Sequence, residues 1–466
     1  GGTGTDTASY VDAQFAVTAD LAANSATDDG DGASDNFSSI ENLTGSSNND
    51  SLSGNNAANT INAGGGNDTL IGRGGVDVLN GQGGNDTLSY VNAANGVVVD
   101  LQLGQTFDDG DGANDTFSGI ENVTGSNAAD VITGDGNANI LIGGTGDDSL
   151  DGGGDNNDLR GGDGFDTLDG GAGNDTLDVG ALDDFLLGGT GDDTLNGGTG
   201  DDTADYSFAA NAITVDLGAA VAANRALDDG DGGQDTLVSI ENILGSDGSD
   251  DITGDSNSNA IDGGAGDDTI RSSTGNDFLD GGVSGDDTVD YSASAAITGG
   301  SIQGNNGAIN VGAEIDMVDN FDNFLLSDSN DTLSFDMDAI SSLNSIDAND
   351  GFDSISITDS VSGDNLTDAG IDGVNLAALF TDVEELDFSG TGIDAGDSFD
   401  IGNSEILAMT NNVDDQLVIN IDSSTMDLTD FNILSQGGAS VTSDSTLGNT
   451  RTVEWSDGVD LIINMA

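Results

Sequence analysis

Aspartate recurs in this chain on a nine-residue beat, each one behind a glycine-rich turn and ahead of a short apolar triplet. The clearest unit, GGTGDDSLD from Gly143 to Asp151, fits G-G-x-G-x-D-x-L-x, and eight such units run without insertion from Gly134 to Asp205. Each residue type has a chemical reason. The sixth-place Asp offers a hard carboxylate oxygen, the donor calcium takes. The paired glycines permit positive φ, which a Cβ would resist, and the x-Leu-x triplet reads as a short strand. A pattern of this kind is a calcium motif, so metal-dependent folding rather than catalysis is the chemistry to expect.

The beat extends to either side, with five units from Gly45 to Ser89, nine from Gly125 to Asp205, and five from Gly245 to Asp290, the last stretched by one residue. Within these arrays Asp also recurs at a step of eighteen: Asp50, Asp68 and Asp86; Asp148 and Asp166; Asp175 and Asp193; Asp184 and Asp202. If two units make one coil, residues eighteen apart stack about 4.8 Å apart along the axis, the ordinary strand spacing. Successive loops on one edge can then share an ion. A single Gly-Asn-Asp turn could be a plain solvated turn, because those residues are good turn formers. Carboxylates stacked in rows repel one another, and such a roll is poorly stable without cations.

Composition leads the same way. Against 87 acidic residues stand five basic ones and no histidine, for a net charge of −82, which excludes nucleic acid as a partner. So acidic a chain, only 35% hydrophobic, borders on the disordered class until cations offset its charge. The expectation is a chain unfolded without calcium and folded with it. Calcium a hundredfold above a site's dissociation constant contributes about 2.7 kcal/mol per site. Low cytosolic calcium would keep the chain loose for export, and millimolar calcium outside would fold it. Cysteine is absent, so neither disulfides nor thiol metal sites exist. No run of eighteen apolar residues occurs, and no N-terminal secretory signal is expected. Gly1 starts inside a glycine-rich unit, GGTGTDTAS, and is expected to be an internal cut with more protein upstream.

The arrays resemble those of the repeats-in-toxin (RTX) family, bacterial proteins exported by type I secretion, and the likeness runs to about Asp290. It implies an all-β fold: a right-handed parallel β-roll, or β-solenoid, built in modules and capped by a β-rich C-terminal domain. In that family loop carboxylates and loop carbonyls bind several calcium ions. Carried across by position, the carboxylate ligands are Asp50, Asp68, Asp77, Asp86, Asp130, Asp148, Asp166, Asp175, Asp184, Asp193, Asp202, Asp250, Asp268, Asp277 and Asp287, with Asp6 in a fragmentary first unit. Asn59, Asn139, Asn157 and Asn259 hold that place in worn units, where an amide oxygen is the weaker ligand. Leu70, Leu79, Leu88, Leu150, Leu159, Leu168, Leu177, Leu186 and Leu195 are assigned to the core.

A second repeat, about thirty-five residues long, lies between the arrays and makes the chain modular. Its copies begin at Tyr10, Tyr90 and Tyr206, run through AVTADL, GVVVDL or AITVDL into an acidic loop, and close with SIENLTGS, GIENVTGS or SIENILGS. The copies start 80 and then 116 residues apart, a difference of four nonapeptides, and whole-rung variation is what a stacked solenoid tolerates. The expected division is the end of an array at 1–9, inserts at 10–44, 90–124 and 206–244, arrays at 45–89, 125–205 and 245–290, a divergent β region at 291–380 and a β cap at 381–466. A decayed fourth copy is expected to start at Tyr291 and fade through Asn310.

The acidic loops are DDGDGASD (Asp28 to Asp35), DDGDGAND (Asp108 to Asp115) and DDGDGGQD (Asp228 to Asp235). Asp29, Asp31 and Asp35 fall at the first, third and seventh places of a calcium-loop spacing, but the twelfth place is Ile40 and the flanks read as strand. Two readings stay open, a plain acidic turn or an extra calcium loop using Asp29, Asp31, Asp109, Asp111, Asp229 and Asp231. Glu41, Glu121 and Glu241 either complete that loop or face solvent. The four tyrosines, Tyr10, Tyr90, Tyr206 and Tyr291, each follow an array directly. They suit a buried aromatic plug better than a carbohydrate platform.

Without His or Cys, Ser-His-Asp and Cys-His arrangements and His-ligated zinc are impossible, and so many carboxylates make any acid pair uninformative. The chain itself is expected to be non-enzymatic. Toward the C-terminus, FTDVEELDFSGTGIDAGDSFDI (Phe380 to Ile401), QLVINID and TVEWSDGVDLIINMA resemble the end of large type I secreted surface proteins, whose export signal lies in the final stretch. Two functions stay open. One is an extracellular structural or adhesive element able to stack head to tail into a homo-oligomer or filament; the other is a secretion and folding module of a larger effector.

Overall fold

A computed structural model describes residues 1–218, 224–303, 306–336, 343–349 and 353–358, then 380–381, 383, 385–390, 400–402, 416–421, 432–434, 441–447, 450–455 and 460–465. Its regular elements are β-strands throughout, and no described helix is long and apolar enough to cross a membrane. Two compact units divide it, residues 1–209 with 220–242, and 210–219 with 243–466.

The nonapeptide dictates the local structure. In a three-residue strand only the central side chain faces inward. Thus Leu168 of Thr167–Asp169 and Leu195 of Thr194–Asn196 are fully buried, while their flanking residues are not. In the first unit, successive strands fall alternately into two parallel sheets, so the partner of each is the strand eighteen residues on. One sheet aligns Leu52, Leu70 and Leu88, then Val123, Leu141, Leu159, Leu177, Leu195 and Leu237. The other aligns Ile132, Leu150, Leu168, Leu186 and Ala204. All of these side chains are 0–1% exposed.

Each insert replaces a rung in one sheet and leaves the other continuous. In the second insert, Thr116–Ser118 pairs parallel with Val78–Gly83, Gln105–Asp108 returns antiparallel, and Val98–Asp100 turns again to pair parallel with Val131–Asp135. In the opposite sheet Thr87–Ser89 passes straight to Asn122–Thr124. The first insert makes the same meander on that opposite sheet, through Thr18–Asp20, Ser25–Asp28 and Asp35–Asn36. The third returns to it, with Thr236–Val238 beside Thr194–Asn196. The alternation follows from the array lengths: five and nine units are both odd, so the chain reaches each insert from the other side.

In the second unit, Thr214–Asp216 pairs parallel with Asp251–Thr253, followed by Thr269–Arg271, Thr288–Asp290, Asn323–Leu325 and Ser345–Asp347. The decay expected after Tyr291 does not end at Asn310. Ile297–Gln303, Asn306–Val311 and Glu314–Asp319 form a full antiparallel meander, and the last pairs parallel with Phe278–Asp280. The fourth copy therefore persists with longer strands and without the DDGDG loop, which is why its sequence looks worn. Parallel pairing continues through Thr332–Asp336, Ser354–Thr358, Glu385–Gly390, Gln416–Ile421 and Asp460–Met465. Much of the expected cap, and of the export signal placed in it, lies outside the described residues. The four tyrosines are buried, at most 9% exposed.

Candidate metal centres

The array aspartates stand in rows, and one oxygen of each builds the row. The backbone N–H of Asp148 donates to Oδ1 of Asp166 at 2.8 Å, that of Asp166 to Asp184 at 2.7 Å, and that of Asp184 to Asp202 at 3.0 Å. The same eighteen-residue bond joins Asp50 to Asp68, Asp68 to Asp86, Asp130 to Asp148, Asp175 to Asp193 and Asp250 to Asp268. Asp277 accepts from Asn259 and Asp287 from Asp268.

The second oxygen is left over. Oδ2 of Asp68, Asp77, Asp86, Asp148, Asp166, Asp175, Asp184, Asp193, Asp202, Asp268 and Asp277 is buried without a hydrogen-bond partner, in residues no more than 3% exposed. An unsatisfied buried acceptor costs about 1–3 kcal/mol, more when charged. Burial first, and neighbouring carboxylates after it, push Asp148, Asp202 and Asp268 up to about 7, against the pull of the row N–H. Asp68, Asp175 and Asp184 rise to about 6, again mainly through burial.

The glycines keep a space open beside these oxygens. A Cβ on Gly170 would lie 2.6 Å from the Gly188 carbonyl oxygen and 2.7 Å from Asp175 Oδ2. On Gly263 it would lie 2.7 Å from Asp268 Oδ2 and 2.8 Å from the Gly281 carbonyl. Gly144, at φ +124°, holds a turn that L side chains rarely adopt. Orphaned carboxylate oxygens and loop carbonyls around a small space form an all-oxygen donor set, which fits calcium and not a soft metal. Among the described residues no three carboxylates converge on one point, so carbonyls must complete any coordination here.

The remaining candidates differ from one another. Asp50, Asp130 and Asp250 have both oxygens engaged. Asp130 accepts the Ser126 N–H at 2.6 Å, its hydroxyl at 2.9 Å and the Val97 N–H at 2.7 Å; Asp50 is held likewise by Ser46 and Val17, and Asp250 by Ser246 and Ile213. Asp6 is half-buried, and its Oδ2 accepts the Gly2 N–H at 2.6 Å. Asn59 and Asn139 satisfy their own amides, donating to the Glu41 and Glu121 carbonyls at 2.7 Å.

In the acidic loops the aspartates differ in setting. Asp31 and Asp111 are exposed and Asp231 is half-buried, whereas Asp109 and Asp229 are 1% exposed with Oδ2 unpartnered. Asp29 is half-buried and closes its own turn on the Asp31 and Ala33 N–H groups. The sequence reading missed Asp115 and Asp235, which continue the rows: Asp77 N–H donates to Asp115 Oδ1 at 2.8 Å and Asp193 N–H to Asp235 Oδ1 at 3.0 Å. The signal was present, since GDGANDTFS (Gly110 to Ser118) is itself a nonapeptide hidden in the loop. Glu41, Glu121 and Glu241 neither complete that loop nor simply face solvent. Their Oε2 atoms accept the N–H of Asp6, Asp86 and Asp202 at 2.9, 2.8 and 3.0 Å, in place of the next rung's aspartate.

This geometry agrees with a family match. Residues 37–70, 53–88, 115–150, 151–186, 178–207, 244–279 and 262–293 match the model of the RTX calcium-binding nonapeptide repeat. These stretches are RTX repeats, and through them the chain is a calcium-binding β-roll protein of the secreted type. No curated protein matches the chain.

Proposed function

We propose that calcium occupies the rows through Asp68, Asp77, Asp86, Asp148, Asp166, Asp175, Asp184, Asp193, Asp202, Asp268, Asp277 and Asp287, and that the folded roll is itself the product: a non-enzymatic extracellular structural or adhesive element. The observation that carries this is the run of buried, unpartnered Oδ2 atoms beside glycine-lined spaces. Divalent ions there would relieve repulsion along each row and satisfy the orphaned oxygens together. The chain has no His or Cys to supply chemistry, and its modules differ in length by whole nonapeptides. Parallel rungs expose strand edges, which supports head-to-tail association into filaments. Export by the type I route rests on the RTX resemblance.

The test is circular dichroism during calcium titration, reversed with chelator and repeated with magnesium. Strand signal should appear with calcium and vanish with chelator; a signal that persists in chelator would sink metal-dependent folding. Light scattering of calcium-loaded protein at rising concentration tests assembly, and a persistent monomer rejects the filament.

A further inference from the structure

Where the second array gives way to the third insert, a cavity of about 230 Å³ lies against the outside of the roll. Asp169, Leu187, Gly189, Asp205, Tyr206 and Phe208 line it, and no described lining residue is basic. Leu168, Leu186 and Ala204 are fully buried, so strand alternation turns their neighbours Asp169, Leu187 and Asp205 outward, on successive rungs of one sheet. Burial first, then the fields of Asp151 and Asp205, raises the Asp169 carboxyl above the ordinary range. Phe208 is 82% exposed, an apolar ring in the place where the first two inserts have Asp12 and Asn92.

The other two arrays fill this face from within. In the first, the place of Gly189 in its nonapeptide is held by Arg73. The Arg73 guanidinium crosses the face, donating to both Asp20 oxygens at 2.9 Å and to the Gly54 carbonyl at 3.0 Å. The registers correspond: Asp20 pairs with Ser53 and Ser53 with Ile71, as Asp151 pairs with Asp169 and Asp169 with Leu187. In the third array the place of Leu187 is held by Arg271. Its guanidinium is paired with Asp251 and, at 3.3 Å, with Asp290, the counterpart of Asp205. The second array keeps the carboxylates but has Leu187 and Gly189 where those arginines stand.

We propose that this cavity binds an arginine side chain presented by another protein or peptide. The forked guanidinium engages the Asp169 and Asp205 carboxylates, while its methylene stem lies along Leu187 and its plane meets the Phe208 ring. A lysine ammonium is a point charge and matches paired carboxylates less well. The cavity falls below the about 300–1,000 Å³ of pockets that hold drug-sized ligands, a size that suits a single side chain. A metal ion is the poorer occupant, because among the described residues no three carboxylates converge on one point. Such a site gives the adhesive role a recognition element, and it requires the folded roll, so folding is read separately in its test.

Calcium-saturated full chain is titrated calorimetrically with a capped Gly-Arg-Gly peptide and with its citrulline counterpart, which is neutral and similar in shape. One arginine peptide should bind per chain, and the citrulline peptide about tenfold more weakly or worse. Asp169→Asn should weaken arginine binding about tenfold or more, and Phe208→Ala about threefold. Leu187→Arg, which copies Arg271, should abolish binding by filling the cavity from within. Asp12→Asn removes an equal charge from an exposed place in the first insert and should change nothing. Strand signal in saturating calcium should be the same in all four variants, since each substituted side chain faces outward. Equal affinity for the two peptides, many peptides bound per chain, or a loss with Asp12→Asn equal to that with Asp169→Asn would show mere attraction to an acidic surface and overturn the site. Full binding after Leu187→Arg overturns it too. Failure of the unaltered chain to gain strand signal with calcium would instead count against metal-dependent folding.

Discussion

Stripping the metal should make the stability of this protein depend on pH in an unusual direction. Asp148, Asp202 and Asp268 are held at about 7, chiefly by burial, against 3.8 for an ordinary Asp. The folded metal-free chain therefore keeps protons that the unfolded chain has released. Such a group leaves stability intact below the unfolded value near 4 and removes it as pH rises through the folded value. At 1.36 kcal/mol per pKa unit, ionising one such carboxyl costs the fold about 2–4 kcal/mol, less where neighbours share the same field. A few of them together match the whole net stability of a domain, about 5–15 kcal/mol. Protein dialysed free of metal should thus be unfolded at neutral pH and gain strand signal as pH falls toward 5, still above the sequence pI of 4.1. Calcium-saturated protein should show full signal at neutral pH and lose calcium affinity on acidification, as protons compete for the same oxygens. Far-ultraviolet circular dichroism against pH, with light scattering to exclude aggregation, reads both limbs. A metal-free signal that is flat, or that falls on acidification, would refute the claim that buried carboxylates are what prevents folding.

Three substitutions probe other parts. Gly170→Ala puts a methyl between Asp175 Oδ2 and the Gly188 carbonyl and should raise the calcium midpoint of folding, whereas Gly136→Ala, with nothing within 4 Å, should leave it unchanged. Leu168→Ala, fully buried between Leu150 and Leu186, should cost about 2–5 kcal/mol, read as a lower Tm in saturating calcium. Ser126→Ala frees one bond on the buried Asp130 carboxylate and should cost about 1–3 kcal/mol with no change in the number of bound ions.

The roll was legible because its period is carried by residues with one job each. A Leu and an Asp every nine positions, each stacking on its like at eighteen, fix the strands, the register and the rows, and Leu150 over Leu168 over Leu186 is what that arithmetic predicts. The termini of the rows were not legible, because there the same job passes to a different residue type. Glu121 accepts the Asp86 N–H from the very place an aspartate would hold, directly before Asn122–Thr124, so a pattern built on Asp passes over it. Asp115 was hidden by the surplus acids of DDGDG, which drew attention to exposed Asp111. In the fourth copy Asp322 replaces the Glu, accepting Asp287 N–H at 3.4 Å, and Asp331 with Ser327 repeats the Ser126–Asp130 pairing. Asp331 stands in LSDSNDTLS, a nonapeptide with Leu326 in the place of its leading glycine.

Those termini explain how arrays of different length can share one chain. An array that simply stopped would leave an aspartate N–H without an acceptor at one end and an uncompensated carboxylate at the other. Here Glu41, Glu121 and Glu241 take the N–H groups, and the Ser46, Ser126 and Ser246 partners saturate the entering Asp50, Asp130 and Asp250. The entering aspartates also accept from Val17, Val97 and Ile213, immediately before the first insert strands, so the bond that caps the start of a row is the one that docks the preceding insert. Orphaned oxygens consequently fall on the rungs after the entering aspartate, through to Asp86 and Asp202, and at the two DDGDG loops. Calcium dependence then scales with the number of rungs that follow, while each entering aspartate is held by ordinary hydrogen bonds. Lengthening an array by whole rungs adds ion sites without altering either end, which is the freedom that the change in insert spacing from 80 to 116 residues displays.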